Sequence, residues 1–116
     1  MIRVIIIEDK RIVSSVFPNP DESTRVAWAQ ENEKNCGYCV FNEEGEIIEL
    51  VDREDSFELL IRSTLNHLDL QGKKYGFTKN KELFDGVKKL GFTENGDKYE
   101  VDISEFFKPC CCNKNN

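Results

Sequence analysis

Glu46-Ile47-Ile48-Glu49-Leu50-Val51-Asp52-Arg53-Glu54-Asp55-Ser56-Phe57-Glu58-Leu59-Leu60-Ile61 is the stretch on which the fold turns. Glu46 to Val51 is dense in Ile, Leu and Val and ends at a charged run, the pattern of a strand running into a loop. Asp55-Ser56-Phe57-Glu58 then reads as a helix cap with a glutamate at its third position. Phe57, Leu60, Ile61, Thr64, Leu65 and Leu68 recur at helical spacing, so one face of a helix from Ser56 to Leu70 is apolar. Gly72 suits the left-handed residue that closes a helix, and Glu58 and Arg62 stand one turn apart as an ion pair on the wet side. A strand followed by a long amphipathic helix calls for a second strand returning parallel to the first. Lys74 to Lys79 supplies it, with the helix as a right-handed crossover.

Working outward, Gly37 to Phe41 and Glu46 to Val51 form a hairpin around Asn42-Glu43-Glu44-Gly45. Arg3 to Ile7 and Arg11 to Phe17, separated by Glu8-Asp9-Lys10, read as two strands of an opening hairpin. Asn19-Pro20-Asp21-Glu22 carries a cap and a first-turn proline and predicts a helix from Pro20 to Glu33. Its apolar residues are few, mainly Val26, Trp28 and Ala29, and the same residues are compatible with a strand across Arg25 to Gln30. Beyond the crossover, Asn80 caps a helix whose Leu83, Phe84, Val87 and Leu90 share one face before Gly91. Phe92 to Glu94 and Lys98 to Ile103 flank Asn95-Gly96, a strong hairpin signal. The expected architecture is α+β: a mixed sheet with antiparallel hairpins first, a strand-helix-strand crossover, a helix on the other face and a closing antiparallel strand. Residues 1–108 make one domain and 109–116 a Cys-rich tail with little to bury, expected to be flexible.

The chain's 116 residues leave room for one core, which excludes a two-domain enzyme. Its 22 acidic against 16 basic residues give a net charge of -6, which repels a phosphate backbone and argues against a nucleic-acid partner. The longest apolar run, Val4 to Ile7, is far short of a membrane span, and no basic leader with an apolar stretch opens the chain. The expectation is a cytoplasmic protein with no membrane partner.

Residues 37 to 107 resemble the GNAT superfamily of N-acetyltransferases. Asn80, Leu83, Val87, Gly91 and Phe92 stand in register with that family's Asn, Ala, Tyr and Gly-Phe pattern, and Lys89-Leu90-Gly91-Phe92 is similar to its Lys-x-Gly-Phe ending. Glu49-Leu50-Val51 resembles the fourth-strand region whose exposed backbone pairs with the pantetheine arm of acetyl-CoA and whose Glu serves some members as general base. The resemblance implies a GNAT-like acyl-CoA N-acyltransferase fold, short at its N-terminus, and transfer of acetyl from acetyl-CoA to a small-molecule or peptide amine. It assigns Glu49 as base. It assigns the backbone of Leu50, Val51 and Asp52, with Arg53, Ser56 and Asn80, as cofactor contacts. On the residues alone, Glu49 reads first as an ordinary solvent-facing strand residue, and Asn80 is at least as well explained as a helix cap.

Two departures weigh against catalysis. In the family, an Arg/Gln-x-x-Gly-x-Gly/Ala loop cradles the coenzyme's pyrophosphate with bare amides. Here the loop is Asp52 to Phe57, with Asp55 and Phe57 at the glycine positions. Val87 stands where many members carry a proton-donating Tyr, and valine has no proton to give. The alternative is therefore a noncatalytic binding or regulatory module on the same fold. Without the family's full N-terminal portion, the expectation is that part of the sheet is left uncovered and that a homodimer buries it.

Five cysteines in a reduced compartment do not suggest a disulfide scaffold. Cys36 and Cys39 have the two-residue gap of a metal site, and Cys110 and Cys112 are the members of the tail cluster whose side chains would converge. A structural zinc or Cu(I) site joining them is one reading. Cys39 as a core position is the other. His67, off the apolar stripe, reads as a solvated or boundary residue.

Overall fold

The computed structural model describes residues 2–53 and 55–108. It holds twelve elements in the order β1 (Arg3–Ile7), α1 (Lys10–Val16), β2 (Thr24–Glu31), β3 (Lys34–Asn42), β4 (Ile47–Asp52), α2 (Phe57–Leu70), β5 (Tyr75–Thr78), a 3-10 turn (Lys81–Leu83) running into α3 (Phe84–Lys89), β6 (Thr93–Asn95), β7 (Lys98–Asp102) and α4 (Ile103–Phe106). β1 to β4 form a four-stranded sheet in sequence order, and β5, β7 and β6 form a second, three-stranded one. Every ladder in both is antiparallel. β4 and β5 run parallel, as the crossover requires, but they meet at a single bridge between Glu46 and Phe77. There Phe77 N–H donates to the Gly45 carbonyl at 2.9 Å. The mixed sheet expected from the sequence is therefore split into two sheets that diverge from that bridge.

α2 forms as its periodicity predicts, with Leu60, Ile61, Thr64, Leu65 and Leu68 all buried. They pack on Ala27, Ala29, Cys39, Phe41 and Ile47 of the first sheet and on Leu83, Val87, Val101 and Ile103 from the second half of the chain. Each such aliphatic side chain contributes about 1.5–3 kcal/mol on burial. The opposite face of the first sheet is covered by α1, through Val13 against Val26 and Val40. Glu58 and Arg62 pair as expected, at 3.9 Å.

Two N-terminal expectations are corrected. Lys10–Val16 is a helix, not the second strand of a hairpin. Asp9 caps it, accepting the Arg11 N–H at 2.9 Å, and Ile12, Val13 and Val16 fall on adjacent helical positions despite their β-branching. The expected helix from Pro20 to Glu33 is instead β2, at Thr24–Glu31. Asn19 takes φ +56°, the left-handed region, and does not cap. The Asp21 carboxylate instead closes a local turn, accepting Ser23 N–H at 2.8 Å and Thr24 Oγ1–H at 3.0 Å. Asn32 and Glu33, both with positive φ, then turn β2 back into β3. In the last hairpin Asn95 pairs with Lys98, so the two-residue loop is Gly96-Asp97, one residue beyond Asn95-Gly96. No helix among the described residues is long and apolar enough to cross a membrane.

Candidate active site

The divergence of β4 from β5 leaves a wedge with one β4 edge facing it. Arg53 N–H donates to the Cys36 carbonyl on β3, whereas the Ile48 carbonyl points the other way and accepts the Asn80 amide at 3.0 Å. Backbone direction alternates along a strand. Glu49 and Val51 are therefore bound to β3, and the N–H and C=O groups of Leu50 and Asp52 face the wedge. Asn80 caps the turn after β5 with Oδ1, accepting Glu82 N–H at 3.0 Å, and uses Nδ2 for Ile48. It thus links the helix start to β4 across the wedge.

Glu49 lies on the face of the first sheet that α1 covers, opposite Val40. Its charge is felt by the Tyr38 phenol, a neighbour the linear sequence does not reveal. Burial first, and the Glu49 charge second, raise the Tyr38 phenol above its usual range, while Arg53 pulls it the other way. The Tyr38 ring lies 6.2 Å from Trp28, whose buried indole N–H has no hydrogen-bond partner among the described residues. Glu49, Tyr38 and Trp28 thus put a carboxylate, a phenol and an indole in a row across β4, β3 and β2, with the Arg53 cation near Tyr38 and Glu49 on the strand that borders the wedge. Val87 is buried in the core and contributes no proton.

The turn from β4 into α2 is closed by its own side chains. Asp52 Oδ1 accepts the Ser56 N–H at 2.7 Å and lies 3.1 Å from Ser56 Oγ. Ser56 Oγ also donates to the Cys36 carbonyl at 2.8 Å. Ser56 is fully buried, and its side chain accepts no bond from the helix. The helix cap read from Asp55-Ser56-Phe57-Glu58 is thus replaced by the Asp52 carboxylate, four residues earlier than the amide it holds. Asp55 is in the left-handed region at φ +58°, the conformation a glycine would adopt without strain. Gly37 allows the crowding, since a Cβ there would stand 2.5 Å from the Val51 carbonyl oxygen and 2.7 Å from Ser56 Oγ. The Phe57 ring packs on Gly86 of α3, where a Cβ would fall within 2.4 Å of it.

These placements test the fit of acetyl-CoA in two parts. The Leu50 and Asp52 edge suits the amides of a pantetheine arm. The loop does not suit a pyrophosphate, because the Asp52 carboxylate already holds the Ser56 amide and Asp55 adds a second negative charge beside it.

Cys36 and Cys39 are both fully buried in the main core. A register shift between Ala29 and Gln30, opposite Cys36, adds the residue that turns both thiols to the same face. Burial pushes the Cys39 thiol up to about 12, only partly offset by the Thr64 hydroxyl. A thiol held protonated in a packed core is a poor metal ligand. Cys110 and Cys112 lie outside the described residues. His67 is a boundary residue, its Nε2 3.0 Å from Glu43 Oε2 and its ring edge-on to Phe41. Arg25 Nε lies 3.1 Å from the same Glu43 oxygen and 3.8 Å from Glu8, so this group carries its own cation.

No protein-family model matches the chain, and no curated protein sequence is significantly similar to it. Solved structures are similar in fold. A candidate GNAT-family acetyltransferase from Desulfovibrio desulfuricans superposes with TM-score 0.66 at 12% identity, covering 89% of this chain and 99% of its own. Tetrahymena GCN5 gives 0.67 at 16% identity, covering 87% and 96%. A candidate N-acetyl transferase from E. coli, YhhK, solved bound to coenzyme A, gives 0.57 at 17% identity, covering 88% and 98%. At these identities the likeness is one of fold, and the fold is that of the GNAT superfamily.

Proposed function

We propose that the chain is a GNAT-type N-acyltransferase that passes an acyl group from a thioester of the acetyl-CoA class to an amine on a small molecule or peptide. The observation that carries this reading is the wedge, with the free β4 edge at Leu50 and Asp52 on one side and Glu49 one residue away. The thioester supplies an activated carbonyl. The rest is work for this chain's own side chains. The Leu50 and Asp52 backbone would hold the arm in extended form, as an added strand is held. Glu49, near the Tyr38 phenol, would take the proton from the incoming ammonium. The net charge of -6 favours approach of a cationic acceptor.

Calorimetric titration with acetyl-CoA and with acetyl-S-pantetheine tests the reading, followed by thiol release with a panel of primary amines. Binding of either thioester and amine-dependent thiol release are the expected results. Absence of heat with both at millimolar concentration removes the enzyme reading. A second reading, a noncatalytic module on the same fold, is favoured by the Asp52 carboxylate in the anion cradle and by Val87. Under it, a thioester binds without amine-dependent release, or does not bind.

A further inference from the structure

We infer that the donor is recognised by its pantetheine arm alone, with no favourable contribution from a nucleotide diphosphate, so that the substrate class is an acyl-pantetheine thioester whatever the arm is attached to. This inference rests on the acyltransferase reading above and narrows it. The turn between β4 and α2 is where a diphosphate would meet backbone amides at the start of a long helix. In this chain the first of those amides is taken and a carboxylate stands against it. Asp52 Oδ1 accepts the Ser56 N–H at 2.7 Å, which puts a fixed carboxylate against the amide a phosphate oxygen would need. Ser56 Oγ is turned inward to the Cys36 carbonyl at 2.8 Å, so the hydroxyl is withdrawn as well. Asp55, one residue before Ser56, holds a left-handed backbone at φ +58° with its carboxylate attached. The chain therefore keeps the backbone shape of a glycine there while adding the charge that an anion avoids. Phe57 spans to Gly86 and fills the space between α2 and α3. Arg53 is the one cation in the run from Asp52 to Glu58, and its charge is felt by Tyr38 on the sheet face, beside Glu49.

The Leu50 and Asp52 edge is untouched by any of this. An arm carrying two amides can pair with the two outward-facing residues of β4 without reaching the turn. Affinity then resides in the arm, and the nucleotide hangs in solvent beside the carboxylates of Asp52 and Asp55.

The test compares dissociation constants of the wild-type protein for acetyl-S-pantetheine and acetyl-CoA at low and high salt. The expected result is a ratio within about fivefold of unity, with acetyl-CoA binding unchanged or tightened by salt, because screening relieves repulsion. Acetyl-CoA binding more than about fivefold tighter and weakened by salt overturns the inference and leaves the acyltransferase reading standing. Failure of both ligands to bind removes the two together. Asp52→Asn frees the loop of one charge and should shift the ratio towards acetyl-CoA by about fivefold or more. An unmoved ratio in a folded variant counts against the role given to Asp52. The wild-type comparison stands whether or not that variant folds.

Discussion

The side-chain amide of Asn80 donates to the carbonyl of Ile48 at 3.0 Å, joining the start of the α3 segment to β4 across the gap between the two sheets. The same side chain caps the turn by accepting Glu82 N–H, so one residue performs a local and a long-range task. Asn80→Ala should cost about 2–3 kcal/mol, about 1 from the lost cap and the rest from the lost tie and an unpaired carbonyl. Asn80→Ser keeps a cap but cannot reach Ile48 and should cost about half as much. Urea denaturation of the two variants checks the order. Wild-type stability in Asn80→Ser would mean that the bond to Ile48 adds nothing, and equal losses in the two variants would mean that the cap adds nothing.

Gly37→Ala places a Cβ 2.5 Å from a carbonyl oxygen at φ +137°. Neither the backbone nor the buried Ser56 can retreat, so a loss of about 3 kcal/mol or more is expected. Gly72→Ala, also at positive φ but with nothing within 4 Å, should cost only about 1 kcal/mol. Thermal melts of the pair separate contact from conformational strain.

Cys39 carries a pH signature. Its folded pKa is raised from 9.0 to about 12, so the unfolded chain loses the proton first and stability falls as pH rises between those values. Below 9.0 both states hold the proton and the effect is absent. Denaturation midpoints across alkaline pH should show this decline, reduced in Cys39→Ala after correction for the cavity. Peptide-resolved alkylation near neutral pH should leave Cys39 unmodified until denaturant is added.

Tyr38 reports on Glu49. Replacing Glu49 with Gln removes a negative neighbour that raises the phenol, so the Tyr38 titration should move down in Glu49→Gln. NMR titration of ring-labelled tyrosines resolves it from Tyr75 and Tyr99. If the protein transfers acyl groups, Glu49→Gln should also lower kcat about 100-fold or more. Tyr38→Phe should alter the pH profile more than the maximal rate.

Legibility from the sequence followed the strength of periodicity. α2 was readable because its apolar residues repeat over nearly four turns, and β3 with β4 because Gly45 marks the turn between apolar runs. β2 was not, since a strand buried on both faces by α1 and α2 loses its alternation, and the short run Val26-Ala27-Trp28-Ala29 suits a helix or a strand equally by periodicity. α1 was hidden by β-branched residues that a single Asp9 cap outweighs. The place of Glu49 on β4 was legible, but its neighbour Tyr38 depends on cross-strand register. The departure from the glycine pattern at Asp55 and Phe57 could be seen in the letters. That Asp52 would fill the vacated cradle could not, because the bond runs backwards from a buried Ser56 that only Gly37 makes room for.

Since Glu46 with Phe77 is the single β-bridge between the two sheets among the described residues, the width of the opening beyond it is set by how far the Asn80 side chain reaches to Ile48, not by a backbone ladder. Its calibre is thus a property that a change at position 80 can reset, leaving the hydrogen-bond pattern of either sheet as it was.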